Sequence, residues 1–221
     1  MISMCLKEID GSWFGLAFAG KKIVATAVDS ARERALRSLV NSIPFGVEYQ
    51  VVDGSSEFVE RTMLMLKGLE SGNEERKSFS LAAECVPEAI AKALKAAAAI
   101  PIGYVASYGD IAKISGTEPR VVGRIMATNP LYPIVPCHRV VGADFSLVGY
   151  GGRKNQSALR AKLARLSKEA KGFTTKKEVT VNDKKLSVYP VECVIRKAKK
   201  SGLDCSSQQR LFANRKPGNN A

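Results

Sequence analysis

The residues best suited to chemistry are Cys137 and the residue after it, His138, which is the only histidine in the chain. A thiol at its ordinary pKa is mostly protonated near pH 7, and it becomes a useful nucleophile when a base accepts its proton. Neighbours on an extended chain point to opposite faces, so the two residues need a turn, or a water between them, to cooperate. Pro136 favours such a bend, and Arg139 adds positive charge that favours a thiolate. For an isolated Cys-His pair, a buried inert cysteine beside a structural histidine is the commoner case.

The positive charge of the chain lies away from its amino-terminal third. The 221 residues carry a net charge of +13, of which residues 1–79 contribute −1 and residues 80–171 and 172–221 contribute +7 each. This distribution suggests that the later part meets a polyanion such as nucleic acid, although many basic proteins bind none. No apolar run of 18 residues occurs, and the first ten residues lack an apolar signal-peptide core. We therefore expect no membrane span and a cytoplasmic location.

The cysteines do not predict a disulfide framework or a metal site. The five of them are scattered, and no CxxC pair occurs. Within residues 1–79, Cys5 is the only cysteine and there is no histidine. We expect no metal and no cofactor.

Residues 1–79 predict a small α+β domain. Two β-like runs, 13–18 and 23–28, flank a glycine turn. A helix is expected from Ser30, a short strand over 47–52, a second helix over 56–69 and a polar linker from Gly72 to Ser78.

Residues 80–171 predict a mainly α domain. An Ala-rich helix is expected over 82–99, and Ser107 is placed to cap a short helix that ends near Ile114. Gly116 then makes a turn, and Pro119 lies in the first turn of the next helix. Helix, glycine turn and helix form the outline of a helix-turn-helix, a weak signal by itself. A last amphipathic helix follows, with Leu159, Leu163 and Leu166 on one side.

Residues 172–221 predict a basic extension. The runs 179–181 and 186–189 are suited to pair as a hairpin. Beyond Arg196 the chain is rich in Lys, Ser, Asn and Gln, which favours disorder, so we expect the extension to be partly disordered. We also expect it to add nonspecific affinity for phosphates.

Residues 129–141, NPLYPIVPCHRVV, closely resemble the active-site segment of the O6-alkylguanine-DNA alkyltransferases. That family's signature is Asn-Pro, a short apolar run, and Pro-Cys-His-Arg-Val. Residues 100–112 resemble its entry into a helix-turn-helix, and residues 120–126 resemble its DNA-contacting helix. The resemblance covers residues 80–170 and implies a small α+β domain followed by a mainly α domain. It further implies that the protein takes the alkyl group from O6-alkylguanine in duplex DNA once, irreversibly, after base flipping. The sequence gives no oligomeric signal, so we expect a monomer by default.

The resemblance also implies catalytic roles. Cys137 corresponds to the alkyl acceptor, His138 to the base that takes the thiol proton through a water, and Asn129 to the residue that holds the loop. Glu169 corresponds to the carboxylate that orients the histidine, in a pattern shared with Leu159, Lys162 and Leu166. Tyr108 corresponds to a tyrosine that donates a hydrogen bond to a guanine ring nitrogen. A solvated helix position is the alternative for Glu169, and a core tyrosine is the alternative for Tyr108.

The resemblance implies two further sets of contacts. Arg120 corresponds to an arginine that fills the gap left by the flipped base, with a simple phosphate contact as the alternative. The helix that it begins has no Asn or Gln to read base edges, which suits close approach to any sequence. The remaining residues implied to meet DNA are Val121, Val122, Gly123, Ala127 and Arg139. Those implied to meet the base, through the Val140 carbonyl and a following loop, are Val140, Tyr150 and Gly151.

One feature of the alignment and three rival functions leave alternatives open. Residues 153–158 intervene where the family enters its final helix, which affects the alignment of Glu169. A cysteine hydrolase using Cys137, His138 and Glu169 predicts multiple turnover. A helix-turn-helix regulator with an incidental cysteine predicts sequence-specific binding. A relative that only binds alkylguanine would lack the cysteine.

Overall fold

The computed structural model describes residues 1–43, 46–53, 56–72, 87–181 and 183–203. Predicted features at residues 73–86, which include most of the linker and the start of the Ala-rich helix, lie outside the described residues, as do residues 204–221. None of the helices in the described part of the chain has the length and apolar composition needed to cross a bilayer.

The amino-terminal domain is a four-stranded sheet with strand order β3-β2-β1-β4. Its elements are β1 (Ile2–Ile9), β2 (Ser12–Ala19), β3 (Lys22–Asp29), α1 (Arg32–Asn41), β4 (Tyr49–Val51) and α2 (Glu57–Glu70). β4 is parallel to β1, and the other neighbours are antiparallel. The first strand, β1, was not predicted from the sequence.

Helices cover both faces of this sheet. α1 packs on one face through Ala35 and Leu39, against residues such as Met4 and Ala17. α2 packs on the other face, and the cluster that it joins continues into the second domain. Because both faces are buried, β2 carries an almost continuous apolar run rather than a strict alternation.

The second domain contains the predicted helix-turn-helix. Its elements are α3 (Glu88–Ala98), β5 (Tyr104–Ser107), α4 (Tyr108–Ser115), α5 (Pro119–Ala127), β6 (Val140–Val141), α6 (Gln156–Lys168), β7 (Lys177–Val181), β8 (Lys184–Pro190) and α7 (Val191–Lys200). Ser107 and Asp110 form a capping box at the start of α4, and Gly116, at a φ of 69°, ends it in the left-handed conformation. Pro119 begins α5. An α+β domain followed by a mainly α domain is therefore confirmed.

The carboxy-terminal extension is built into this second domain. The predicted hairpin is present as β7 and β8, and β8 pairs with β5 in a sheet of order β6-β5-β8-β7. Leu186 and Val188 are buried in the main core. The expectation of disorder beyond Arg196 is wrong as far as Lys200, because α7 continues to that residue. Its buried side chains share one face: Val191, Val194 and Ala198.

Candidate active site

Cys137 begins a short 3₁₀ turn that ends at Arg139. The turn is closed by the Arg139 amide, which donates to the Pro136 carbonyl over 2.8 Å, so the bend expected at this position is present. The loop before it is held by Asn129, whose Nδ2 donates to the Val135 carbonyl over 2.7 Å. The Leu131 amide donates to Asn129 Oδ1 over 3.0 Å. Asn129 therefore fixes both ends of the segment that delivers the cysteine.

Cys137 lies at a cavity of about 430 Å³, which we call the Cys137 cavity. The walls come from the start of α4, the outer face of α5 and the loop before α6. The lining residues include Tyr108, Arg120, Gly123, Ala127, Tyr150 and Gly151. Cys137 is 8 % exposed, so the thiol is accessible mainly through this opening. A planar ring of nucleobase size fits a space of this volume.

The thiol of Cys137 rests in its protonated form. Burial raises its pKa, while a hydrogen bond from Asn129 and the positive charges of Lys162 and Arg165 act in the opposite direction. Since burial is the largest of these effects, a base must take the proton before the sulfur can act as a nucleophile.

His138 is oriented by a buried carboxylate. Its Nε2 lies 2.7 Å from Glu169 Oε1, and Arg139 donates to both oxygens of the same carboxylate, over 2.8 and 3.0 Å. Burial lowers the pKa of His138 and the carboxylate of Glu169 only partly compensates, so the imidazole is neutral at pH 7. Burial alone would raise the pKa of Glu169, but the hydrogen bonds from His138 and Arg139 hold it at about 2.

The remaining ring nitrogen of His138, Nδ1, is buried and has no hydrogen-bond partner among the described residues. With Nε2–H donated to Glu169, Nδ1 carries the free lone pair of the neutral ring. The arrangement is that of a histidine ready to accept one proton.

Lys162 is a buried part of the site that the sequence reasoning noted only as part of a spacing pattern. Its Nζ donates to the carbonyls of Val140 over 2.6 Å and Gly149 over 3.1 Å, and the residue is 1 % exposed. Burial lowers its pKa to about 8, and the nearby Cys137 opposes this shift. Lys162 therefore ties the strand after Cys137 to Gly149, which lines the Cys137 cavity, and places a positive charge near the sulfur. Its position three residues after Leu159 in the pattern was the available signal.

Two tyrosines stand on the walls of the cavity. Burial raises the pKa of Tyr108 to about 12, and the neighbouring Cys137 adds to the shift. Burial also raises the pKa of Tyr150 well above its usual range. Both hydroxyls are therefore protonated near pH 7 and are able to donate a hydrogen bond. Gly151, beside Tyr150, is exposed at the opening.

The outer face of α5 presents part of the predicted DNA-contacting set. Arg120 and Ala127 are exposed, Gly123 also lines the cavity, and Val121 is half-buried. The prediction for Val122 is wrong, because its side chain lies in the core with no exposed surface.

The prediction that Arg139 meets DNA is also wrong. It is 7 % exposed, and its guanidinium is used by Glu169 and by the carbonyl of Ile100 at 2.8 Å. A Pro-Cys-His-Arg motif on a surface loop and one turned into the core look alike in sequence, so no local signal separated them.

Comparison with known proteins places this site in a family. Residues 88–171 match the family model described as the DNA-binding domain of 6-O-methylguanine DNA methyltransferase. A methylated-DNA–protein-cysteine methyltransferase of Pyrobaculum aerophilum is 60 % identical over 53 residues, which is 24 % of this chain and 36 % of that protein. One from Methanocaldococcus jannaschii is 31 % identical over 148 residues, which is 65 % of this chain and 82 % of that protein.

A solved structure shares the fold. The crystal structure of Mycobacterium tuberculosis OGT in complex with DNA matches with a TM-score of 0.55 at 24 % identity, and the match covers 76 % of this chain and 92 % of the other. The match to the Methanocaldococcus protein extends well beyond the active-site motif, since it covers most of that relative. This chain belongs to the methylated-DNA–protein-cysteine methyltransferase family.

Proposed function

We propose that this protein repairs O6-alkylguanine in duplex DNA by moving the alkyl group onto Cys137, once per molecule. The observation that carries the proposal is the buried Cys137 thiol at a base-sized cavity, directly beside a histidine oriented by Glu169. Family membership supports the same reaction. The chemistry requires only side chains of this chain, and we propose no cofactor.

The proposed proton path begins at the thiol. His138 Nδ1 accepts the Cys137 proton through one water, and Glu169 stabilises the imidazolium that forms. The sulfur then attacks the alkyl carbon in line with the C–O6 bond. A carbon–sulfur bond forms, the carbon–oxygen bond breaks, and its electron pair leaves with the guanine.

The leaving guanine gains stabilisation from the cavity walls. Tyr108 donates a hydrogen bond to a ring nitrogen as negative charge develops on the base. The Val140 carbonyl has a second lone pair beside the one used by Lys162, and this accepts from the guanine amino group. Tyr150 and Gly151 contact the base near O6.

The DNA is held by the outer face of α5. Arg120, exposed at the start of the helix, enters the duplex and replaces the flipped nucleotide, whose extrusion costs a few kcal/mol of stacking and pairing. Gly123 and Ala127 let the helix approach the groove closely. The Mycobacterium protein, which has the same fold, was solved in complex with DNA, and this supports the proposal that the present protein binds DNA.

The carboxy-terminal extension adds phosphate contacts in this proposal. Lys184 Nζ donates to the Lys113 carbonyl over 3.2 Å, so the tip of the hairpin lies at the end of α4, next to the turn of the helix-turn-helix. Lys184 and Lys185 are exposed there. We propose that the protein acts as a monomer in the cytoplasm.

The test is a count of methyl groups accepted per protein. A duplex with labelled O6-methylguanine, in excess over protein, should transfer label to protein until one group per molecule is reached. Cys137→Ser should transfer none and should still bind duplex DNA. Continued loss of methyl from DNA beyond one equivalent would favour the cysteine hydrolase, and DNA binding without any transfer would favour the regulator.

A further inference from the structure

A cluster of four polar side chains joins the amino-terminal domain to the Cys137 cavity. Glu70 ends α2, Tyr132 lies in the loop before Cys137, Arg165 lies on α6 and Tyr150 is a cavity wall. Arg165 Nη1 donates to Glu70 Oε1 over 2.8 Å and also to the Tyr132 hydroxyl. Tyr132 donates to Glu70 Oε2, and Tyr150 lies beside Tyr132 and Arg165. The amino-terminal domain is thus joined by hydrogen bonds to the loop before Cys137 and to α6.

The carboxylate of Glu70 determines which group donates and which accepts in these hydrogen bonds. A tyrosine hydroxyl has one proton and two lone pairs, and a carboxylate can only accept. Tyr132 gives its proton to Glu70, which leaves its lone pairs to accept from Arg165. An uncharged side chain at position 70 would not impose this direction as strongly, because charge-assisted hydrogen bonds are about twice as strong as neutral ones.

The cluster is partly shielded from solvent. The side chains of Glu70 and Arg165 are 25 % and 34 % exposed. The Arg165 guanidinium carbon lies 4.9 Å from the centre of the Tyr132 ring, and the edge of that ring faces His138 with ring centres 6.4 Å apart. Tyr132 is therefore packed between the Glu70–Arg165 ion pair and His138. A change in the position of Tyr132 would therefore alter both the Cys137 cavity and the histidine that takes the thiol proton.

The same loop is held at a second point by the amino-terminal domain. The Thr26 amide on β3 donates to the Pro130 carbonyl over 2.7 Å, and Thr26 Oγ1 donates to the Tyr132 carbonyl over 2.8 Å. Thr26 fixes the backbone at Tyr132, and Glu70 fixes its side chain.

We propose that Glu70 is a positioning residue for the alkyl transfer, supplied by the amino-terminal domain. Its carboxylate holds Tyr132 and Arg165 together, and Tyr132 in turn packs against His138 in the segment that delivers Cys137. The inference rests on the proposed function, because Cys137 and His138 carry out the alkyl transfer in that proposal.

The experiment measures single-turnover methyl transfer by Glu70→Gln, Tyr132→Phe and the double variant. Each single change should lower the second-order rate constant by about 10- to 100-fold, because small displacements of positioned groups have effects of that size. The final yield should remain one methyl group per protein. The double variant should be no slower than the slower single variant, since both changes break one chain of contacts.

The matched control is Glu60→Gln. Glu60 also lies on α2 and forms an ion pair, with Lys7, but this pair is exposed and away from the loop. Its rate should equal that of the unchanged protein. If Glu70→Gln folds poorly, Tyr132→Phe removes the central hydroxyl without a change of charge and should show the same slow, complete transfer.

Three results would overturn the inference. In the first, Glu70→Gln lowers the final yield while the remaining active molecules react at the normal rate, which is a folding defect only. In the second, the effects of Glu70→Gln and Tyr132→Phe on the rate constant multiply, which means that the two residues act independently. In the third, Glu70→Gln and Tyr132→Phe both react at the normal rate. Failure of the unchanged protein and Glu60→Gln to accept any methyl group would instead remove the proposed function itself.

Discussion

In the proposed reaction, the proton that the Cys137 thiol holds at rest moves to His138. Burial keeps both the thiol and the His138 imidazole neutral, while Glu169 stays ionised with a pKa of about 2. The ion pair with Arg139 satisfies that carboxylate even when His138 is uncharged. The resting site therefore carries a charged orienting group and a neutral base, the combination that acid–base activation of a thiol needs.

The pH dependence of methyl transfer should report on His138. Its pKa lies below the usual value of 6.5, because burial outweighs the carboxylate, so the rate should fall only once the pH drops below that value. Glu169→Gln removes the charge that favours the imidazolium. The midpoint should move to still lower pH, and the rate at pH 7 should fall by about 100-fold. A midpoint that stays in place or rises would contradict the assigned pairing.

Glu169 should also make the protein sensitive to acid. Its pKa is about 2 when folded and 4.5 in the reference state, so its stabilisation is complete above pH 4.5 and is lost as the pH falls toward 2. The corresponding free energy is about 3 kcal/mol. Urea unfolding at pH 7 and pH 3 should show that the stability difference between the unchanged protein and Glu169→Gln narrows in acid. Glu33→Gln is the control, because Glu33 is an exposed residue on α1, and it should leave the acid dependence unchanged.

Among single residues, the sequence located the nucleophile and its neighbours but not the groups that arrive from elsewhere in the chain. Cys137, His138 and Asn129 lie within one short motif, whereas Glu70 lies 62 positions before its partner Tyr132. Spacing along the chain carries no information about such a contact. Arg139 lies within the same motif, but the sequence did not show that its side chain points into the core. That orientation depends on Glu169 and the Ile100 carbonyl, which lie elsewhere in the chain.

At the scale of elements, local signals were sufficient where caps and turns set the boundaries. The predicted boundaries of α4 and α5 are close to the observed ones. They are set by the capping box at Ser107, by Gly116 at the end of α4 and by Pro119 at the start of α5. β1 was missed because its alternation is irregular, with Met4 and Cys5 both buried against different faces. α7 was missed because its lysines suggested disorder, although Val191 and Val194 lie on one helical face. The residues that bury such an apolar face come from distant parts of the chain, so the local sequence does not identify them.

Gly123 provides a test of the DNA-contacting face of α5. A Cβ built at this position meets nothing within 4 Å, so the fold accepts a side chain there. Gly123→Ala should stabilise the protein by about 0.5–1 kcal/mol through helix propensity. Gly123→Leu should fold equally well but should weaken binding to undamaged duplex by about tenfold or more, because a longer side chain separates the helix from the groove. If Gly123→Leu binds as well as Gly123→Ala, this face does not meet DNA.

At the scale of the whole molecule, the amino-terminal domain and the carboxy-terminal extension both support the central site. The first holds the active-site loop through Thr26 and Glu70. The second contributes β8 to the sheet and Val188 and Val191 to buried clusters. A deletion from Gly172 would therefore remove part of the core, so the charge of the extension is better tested by substitution.

The extension should contribute to the salt dependence of DNA binding. Lys184→Glu combined with Lys185→Glu should leave the melting temperature nearly unchanged, because both side chains are exposed. The affinity for undamaged duplex should fall, and the slope of its logarithm against that of salt concentration should decrease by about two, one for each lost phosphate contact. Arg34→Glu combined with Arg37→Glu, on the exposed side of α1, changes the net charge equally and should leave the slope nearly unaltered. Equal slopes for the two pairs would exclude a specific role for the hairpin.

The most direct test of the account is the intact mass of the protein after incubation with O6-methylguanine duplex, followed by peptide mapping. We expect every active molecule to gain the mass of one methylene, located on Cys137, while the guanine in the DNA is restored. An unmodified protein beside restored DNA, or a methyl group on another cysteine, would contradict it.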